Sequence, residues 1–194
     1  MVWQHIMLVI LWIVFGLLHT VLAGGAWKRK MQTGMKQHYK FYRFYYSLFA
    51  ALSLILLLFY HSCMHSILLW HVLYAEKIIA AILFAAGAAL VVFCAREYFL
   101  SLSGIDVFLR HKIENKLRDN GLHSIVRHPL YLGTIVLAWS IFLWQPLISN
   151  LLSCISVTFY TRIGIYFEEK KLIREFGDEY KQYARKVSML IPGI

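Results

Sequence analysis

Charged and apolar positions along this chain fall into long blocks instead of alternating. No Lys, Arg, Asp or Glu occurs from Trp3 to Ala26, from Phe44 to Ala75, from Ile78 to Ala95 or from His128 to Thr161. A helix that crosses a bilayer needs roughly 20 predominantly apolar residues, so each of the first three blocks predicts one span. The fourth is too long for one and is interrupted by Gln145-Pro146. Proline removes an amide donor and turns the residue before it away from helix. That block therefore divides into two short antiparallel spans, Pro129 to Trp144 and Leu147 to Thr161. The pattern predicts an all-α integral membrane protein with five transmembrane helices.

Beyond Thr161 the pattern changes. Glu168, Glu169, Lys170, Lys171, Arg174 and Glu175 predict a charged continuation of the fifth span, with Leu172, Ile173 and Phe176 keeping one face apolar. Gly177 suits a helix stop and Asp178 an N-cap, so a second short helix is expected from Glu179, carrying Tyr180 and Tyr183 and ended by Pro192. The polar stretch from Leu100 to Val126 reads as a connector holding a short amphipathic helix. In the third span Ala81, Ala85 and Ala89 recur beside Gly87, a small-residue stripe that lets membrane helices approach closely. No repeat or linker divides the 194 residues. One domain is expected, with a three-helix part over 1–99 and a second part over 100–194.

Composition sharpens this reading. Sixty per cent of the residues are apolar or aromatic and 15% are charged, which lies outside the soluble range. The net charge of +10 raises the question of nucleic acid, and the placement of the charges answers it. Six basic residues lie between spans one and two, six between Ala95 and His128, and seven after span five, so 19 of the 20 share one side if five spans alternate. By the positive-inside rule the N-terminus is then outside and the C-terminal helical segment cytoplasmic. The charge is topological, and no nucleic-acid partner is expected. The first segment lacks a basic residue before its apolar core, so it reads as a retained helix and not as a signal peptide. Cys63, Cys94 and Cys154 have no paired spacing and indicate neither a disulfide framework nor a zinc site. The histidines between His61 and His71 suit a polar outer loop, and no metal site is expected.

The segment Gly121-Leu-His123-Ser-Ile-Val-Arg127-His128-Pro129-Leu130-Tyr131-Leu-Gly133 sets glycine, arginine and histidine where the connector meets a membrane helix. Pro129 in the first helical turn leaves amides facing the connector, where a carboxylate or ribose oxygen is welcome. Arg127 and His128 add donors, and Tyr131 offers an aromatic wall. The same residues also suit a plain interfacial anchor for the fourth span. Glu168 and Glu169 likewise suit either a site or a solvated helix face.

Arg127-His128-Pro129-Leu130-Tyr131-Leu132-Gly133, followed by Glu168-Glu169, Leu172, Phe176-Gly177-Asp178-Glu179-Tyr180, Tyr183 and Leu190-Ile191-Pro192, resembles the isoprenylcysteine carboxyl methyltransferase family with its phospholipid methyltransferase relatives. The resemblance covers roughly Gly121 to Pro192. It implies an S-adenosylmethionine pocket at the cytoplasmic face, closed by the C-terminal helices, with S-adenosylhomocysteine as product and the acceptor entering from the bilayer. It implies cofactor-binding roles for Gly121, His123, Arg127, His128, Pro129, Leu130, Tyr131, Glu168, Glu169 and Tyr180.

One position departs from the pattern. Members that methylate prenylcysteine carboxylates resemble one another in an arginine four residues before the glutamate aligned with Glu168, where this chain has Gly164. Arg162 lies about 200° round a regular helix from it. His19-Thr20, Tyr42-Arg43-Phe44-Tyr45-Tyr46 and Val187-Ser188-Met189-Leu190-Ile191-Pro192 look instead like the bacterial methanethiol S-methyltransferase branch. That resemblance implies a small or lipophilic thiol acceptor, with membrane lipid as the surroundings. A cation at Arg43 or Arg162, or a base at His19, would raise the thiolate fraction, which makes these three the catalytic candidates. A prenylcysteine carboxylate or a phospholipid amine is the alternative acceptor. A non-catalytic membrane binding protein is the alternative of another class, and a nicotinamide-dependent reductase ranks low because no second phosphate site is evident.

Overall fold

Residues 2–103 and 117–193 are described by a computed structural model, and they fold as helices with no strand among the described residues. In order, α1 is Val2–Ala23, α2 Gly25–Met35, α3 Tyr42–Cys63, α4 Tyr74–Ser103, α5 Pro129–Trp144, α6 Ile148–Phe176 and α7 Asp178–Lys186, with 3-10 turns at Lys36–Phe41 and Gly121–Ser124. Four helical stretches, Val2–Ala23, Gly25–Cys63, Tyr74–Arg96 and Ile148–Phe176, are long and apolar enough to cross a membrane. The predicted fourth span, Pro129 to Trp144, forms the helix α5, whose 16 residues rise about 24 Å at 1.5 Å each, short of a hydrocarbon core of about 30 Å.

The described helices divide between two compact units, one running to Ile67 and taking in the end of α4 from Glu97, the other taking Leu68–Arg96 and the chain beyond the connector. In the first unit α1 and α3 are antiparallel. The Tyr60 hydroxyl donates to the Gln4 carbonyl at one end (3.1 Å), and Tyr42 donates to the Leu22 carbonyl at the other (2.7 Å). Leu8, Trp12 and Gly16, spaced one helical turn apart, form the buried stripe of α1. Ile6, Ile10, Ile13 and Leu17 point outward and are exposed, as hydrocarbon-facing side chains are. The basic stretch between spans one and two is itself ordered, as α2 and the 3-10 turn that follows it.

In the second unit α5 and α6 form an antiparallel hairpin around the Gln145-Pro146 turn. Polar groups tie it together. The Asn150 side-chain amide donates to the Gln145 carbonyl (2.7 Å), the Cys154 thiol to the Ala138 carbonyl (2.9 Å), and the Trp139 indole to the Thr158 hydroxyl (3.1 Å). The extended segment before α4 packs on this turn, with the Leu69 amide donating to the Pro146 carbonyl (2.8 Å) and the Trp70 ring edge-on to Phe142. Glu76 accepts the Leu73 amide (2.9 Å), one half of a capping box at the start of α4.

Three expectations are corrected in detail, and a fourth falls largely outside the described residues. The predicted stripe of Ala81, Ala85 and Ala89 is exposed. Close approach is made instead by Gly87 and Gly133, where an added Cβ would lie 2.9 Å from the Leu137 amide nitrogen and from Leu90 Cβ respectively. Asp178 is not the N-cap of α7 but its first residue; Gly177, at φ +58°, holds the cap position because only glycine takes that conformation without strain. Helix α7 ends at Lys186 and not near Pro192, because Val187 to Met189 turn extended and pair with the chain at Val126. The amphipathic helix expected in the Leu100 to Val126 connector lies outside the described residues over 104–116, and the described remainder holds only the turn Gly121–Ser124.

Candidate functional site

Arg127 and His128 are placed by backbone pairing and not by a helix. The Arg127 amide donates to the Ser188 carbonyl (2.8 Å) and the His128 amide to the Met189 carbonyl (3.2 Å), which seats the tail beside the start of α5. Pro129, at the first position of α5, fixes where the helix begins. The His123 carbonyl accepts the Tyr183 hydroxyl (2.6 Å), and the His123 Nδ1 meets the Arg127 carbonyl (3.0 Å). A carbonyl only accepts, so Nδ1 carries the proton of that ring. Gly121, at φ +58°, opens the turn that brings His123 into this position.

These contacts converge on one oxygen of Glu169. Its Oε1 accepts from Arg127 Nε (2.9 Å) and Nη2 (2.8 Å), from His128 Nε2 (3.3 Å) and from the Tyr180 hydroxyl (3.3 Å). The remaining Arg127 nitrogen, Nη1, donates to the Ala184 and Val187 carbonyls (2.6 and 2.8 Å), a cation at the negative end of α7. Since a carboxylate accepts only, His128 must carry its proton on Nε2, and its Nδ1 lies 3.7 Å from Glu168. The His128 side chain is 4% exposed and that of Arg127 11%, so solvent screens this cluster little. Burial, and then the Glu169 charge, raises the Tyr180 hydroxyl pKa above the tyrosine range. Exposed Asp178 is held below the usual carboxylate range by the hydrogen bond from Lys181.

Glu169 also opens onto a cavity of about 460 Å³, lined by Arg162, Ile163, Ile165, Tyr166, Phe167, Glu169 and Met189. Arg162, Ile165, Tyr166 and Glu169 follow the i, i+3, i+4, i+7 rule of one helix face, so this part of α6 supplies a cation, a carboxylate and apolar walls along one line. Met189, from the paired tail, closes over it and contacts the Arg162 guanidinium. Gly164 lies on another face, where an added Cβ would sit 3.4 Å from the Tyr131 hydroxyl. The absent arginine and Arg162 therefore point in different directions in a helix that is continuous. The Tyr131 ring packs on His128 at 5.8 Å between centroids.

Of the sequence-derived candidates, Arg162 and Glu169 line the cavity. Arg127, His128 and Tyr180 touch it only through Glu169, while Glu168, His123, Gly121, Pro129, Leu130 and Tyr131 stand behind them. His19 and Arg43 belong to the other unit, where a His19 ring nitrogen lies 2.8 Å from the Tyr46 hydroxyl and Arg43 is exposed at the start of α3. Sequence reasoning missed Met189 as a wall, and it missed the aromatic lining at Tyr166 and Phe167. The helical spacing from Arg162 to Glu169 was the available signal. Among the described residues no cluster of His, Cys, Asp or Glu suits a metal.

The family model for phospholipid methyltransferase matches residues 75–179. Methanethiol S-methyltransferase 1 of Bradyrhizobium diazoefficiens is 33% identical over 159 residues, covering 76% of this chain and 53% of that protein. Methanethiol S-methyltransferase of Pseudomonas deceptionensis is 33% identical over 82 residues, 42% of this chain and 30% of that one. Protein-S-isoprenylcysteine O-methyltransferase of Dictyostelium discoideum is 36% identical over 95 residues, 43% of this chain and 38% of that one. The chain thus spans about half or less of the length of the curated relatives it matches. No solved structure matches it.

Proposed function

Because the chain belongs to the phospholipid methyltransferase family, we propose that it is a membrane-embedded, S-adenosylmethionine-dependent methyltransferase whose acceptor is a small or lipophilic thiol. The observation that carries this reading is the cavity beside Glu169, in which one carboxylate, one guanidinium and two aromatic rings face the same space. Its volume lies within the ordinary range of about 300–1,000 Å³ for small-molecule sites, and its donor set suits a zwitterionic sulfonium. Glu169 and the Tyr166 ring favour a cation by charge and by cation-π attraction. In this reading His128, Arg127 and Tyr180 hold Glu169 in place, with Glu168, Tyr131, Leu130, Pro129, His123 and Gly121 shaping the surrounding wall.

The cofactor supplies a methyl group already activated by its sulfonium. The chain's own work is to align the acceptor, keep water out and hold the acceptor sulfur as thiolate. Arg162 stabilises that thiolate by its charge, lowering a thiol pKa that is about 8.5 in isolation. His19 and Arg43, in the other unit, remain catalytic candidates on their sequence pattern. The thiol is favoured by the methanethiol S-methyltransferases among the relatives and by Gly164 at the arginine position of the carboxylate-methylating relatives. A prenylcysteine carboxylate is the second reading, favoured by the guanidinium on the cavity wall and by the isoprenylcysteine relatives. We further take α5 as a membrane span, which brings the number to five, with the N-terminus outside and the tail in the cytoplasm, as the basic residues favour.

Purified protein given methyl-labelled S-adenosylmethionine and a panel of thiols, prenylcysteines and phosphatidylethanolamine tests the acceptor. Label is expected in a thioether, with Arg162→Ala losing most of the rate. Label in a prenylcysteine ester alone overturns the thiol, and label in no acceptor overturns the enzyme.

A further inference from the structure

The connector 24–41 between α1 and α3 carries Lys28, Arg29, Lys30, Lys36 and Lys40, and Arg43 follows in the first turn of α3. No Asp or Glu occurs anywhere from residue 1 to residue 75, so these six cations have no acidic residue among their neighbours in sequence. Their arrangement is ordered. Along α2, Trp27, Met31 and Met35 recur every fourth residue and are half-buried, whereas Arg29 and Lys30 are exposed, as are Lys36, Lys40 and Arg43. The Lys30 ammonium lies over the Trp27 ring (5.3 Å) and the Lys40 ammonium over the Phe41 ring (4.9 Å). Helix α1 carries no Lys, Arg, Asp or Glu to its last residue, and α3 carries none after Arg43. The connector between them therefore lies at the boundary of hydrocarbon and water, the level of lipid headgroups.

We propose that α2 and the following 3-10 turn form a binding collar for anionic phospholipid headgroups. The chemistry recognised is a phosphate ester of net negative charge, met by lysines as point charges and by Arg29 as a planar fork. A lipid is favoured over a free anion because apolar surface continues directly from the cations. Leu18 and Val21 at the end of α1, and Tyr45, Leu48 and Phe49 at the start of α3, are exposed and offer acyl chains a path beside the collar. The amphipathic helix, its aromatic residues and its basic face are the combination by which interfacial helices bind anionic lipid.

The test is calorimetric titration of the detergent-solubilised full-length protein with dioctanoyl phosphatidylglycerol, dioctanoyl phosphatidylcholine and inorganic phosphate. Phosphatidylglycerol is expected to bind at least about tenfold tighter than phosphatidylcholine, with affinity falling as salt rises. Inorganic phosphate at equal concentration should not displace it. The variant Lys28→Gln, Arg29→Gln, Lys30→Gln should lose at least about tenfold in phosphatidylglycerol affinity, while Lys170→Gln with Lys171→Gln, which removes two cations from α6, should leave it unchanged. Equal affinity for the two lipids overturns the collar, and so does a triple variant that keeps wild-type affinity. Displacement by inorganic phosphate would make it a free-anion site. If the triple variant fails to fold, the salt dependence of the wild type decides, since binding indifferent to salt is incompatible with the proposal.

Discussion

Arg127 joins three segments through one side chain, and Arg127→Lys separates charge from shape. The guanidinium spends Nε and Nη2 on Glu169 and Nη1 on the Ala184 and Val187 carbonyls. A lysine ammonium keeps the charge but is a single point, so it can serve Glu169 or the end of α7, not both. Hydrogen bonds to charged groups contribute about 1.5–3 kcal/mol net, and at 11% exposure little of that is screened. Losing one of the two ends should cost about 2 kcal/mol, which is about 30-fold in the equilibrium for opening the tail. The backbone amides of residues 127 and 128 report on that opening, since they donate to Ser188 and Met189. Hydrogen exchange at these two amides is expected to quicken by about 30-fold in the variant. Exchange in the α5–α6 hairpin near Trp139 should stay unchanged, and trypsin should cut sooner at Lys186. In a Glu169→Gln background the added cost should shrink, because the two residues share one interaction. Exchange at 127 and 128 within threefold of wild type would refute the view that Arg127 is the clasp of the tail.

Three further outcomes follow from the same geometry. His128→Ala and Glu169→Ala should each weaken S-adenosylhomocysteine binding by about tenfold or more in calorimetry, Glu169→Ala the more because it also strands the Arg127 charge; unchanged affinity in both removes the cofactor assignment. Gly133→Ala forces a Cβ to within 2.9 Å of Leu90 Cβ and should cost about 1–3 kcal/mol in thermal unfolding. Gly34→Ala, with nothing within 4 Å of its added carbon, should gain up to about 1 kcal/mol from helix propensity, so equal shifts in the two variants would contradict the packing. For Tyr180 the folded pKa is raised above 10.0, so above that pH the folded state holds a proton that the unfolded state has lost. Stability should then fall as pH rises through about 10, and Tyr180→Phe should flatten that fall in melting temperature; identical slopes would count against it.

Much of this architecture was legible because bilayer thickness and proline sterics act on sequence directly. The limits of α5 were read from Pro129 and from Gln145-Pro146 alone, and the charged extension of α6 to Phe176 from its one apolar face. What escaped was settled by contacts between distant segments. Asp178 has the composition of an N-cap, but glycine at φ +58° already turns the chain one residue earlier. Val187 to Met189 carry no helix breaker; they leave the helix because the Arg127 and His128 amides draw Ser188 and Met189 into extended pairing. The alanine stripe had the right spacing for close packing on the wrong face, since Gly87 and Gly133 allow backbones nearer than any alanine does.

The meeting of His128 with Glu169, 41 residues apart, is a consequence of hairpin register. Trp139 on α5 bonds Thr158 on α6, and this fixes which residues of two antiparallel helices lie level. From that pair, ten residues back along α5 reach Pro129, the residue that follows His128, and eleven residues forward along α6 reach Glu169. Eleven residues are three helical turns to within about 20°, because three turns take 10.8 residues, so Glu169 returns to the face of α6 that carries Thr158, while Pro129 starts α5 directly after His128. Pro129 sets the start of α5, the Gln145-Pro146 turn sets the offset, and an unbroken α6 carries the register into its charged end. One residue added or removed between Thr158 and Glu169 would swing the carboxylate about 100° away from the imidazole. The spacing between the two halves of the motif is therefore a measure of helix length, which is why a pattern so far apart in sequence can specify one cluster.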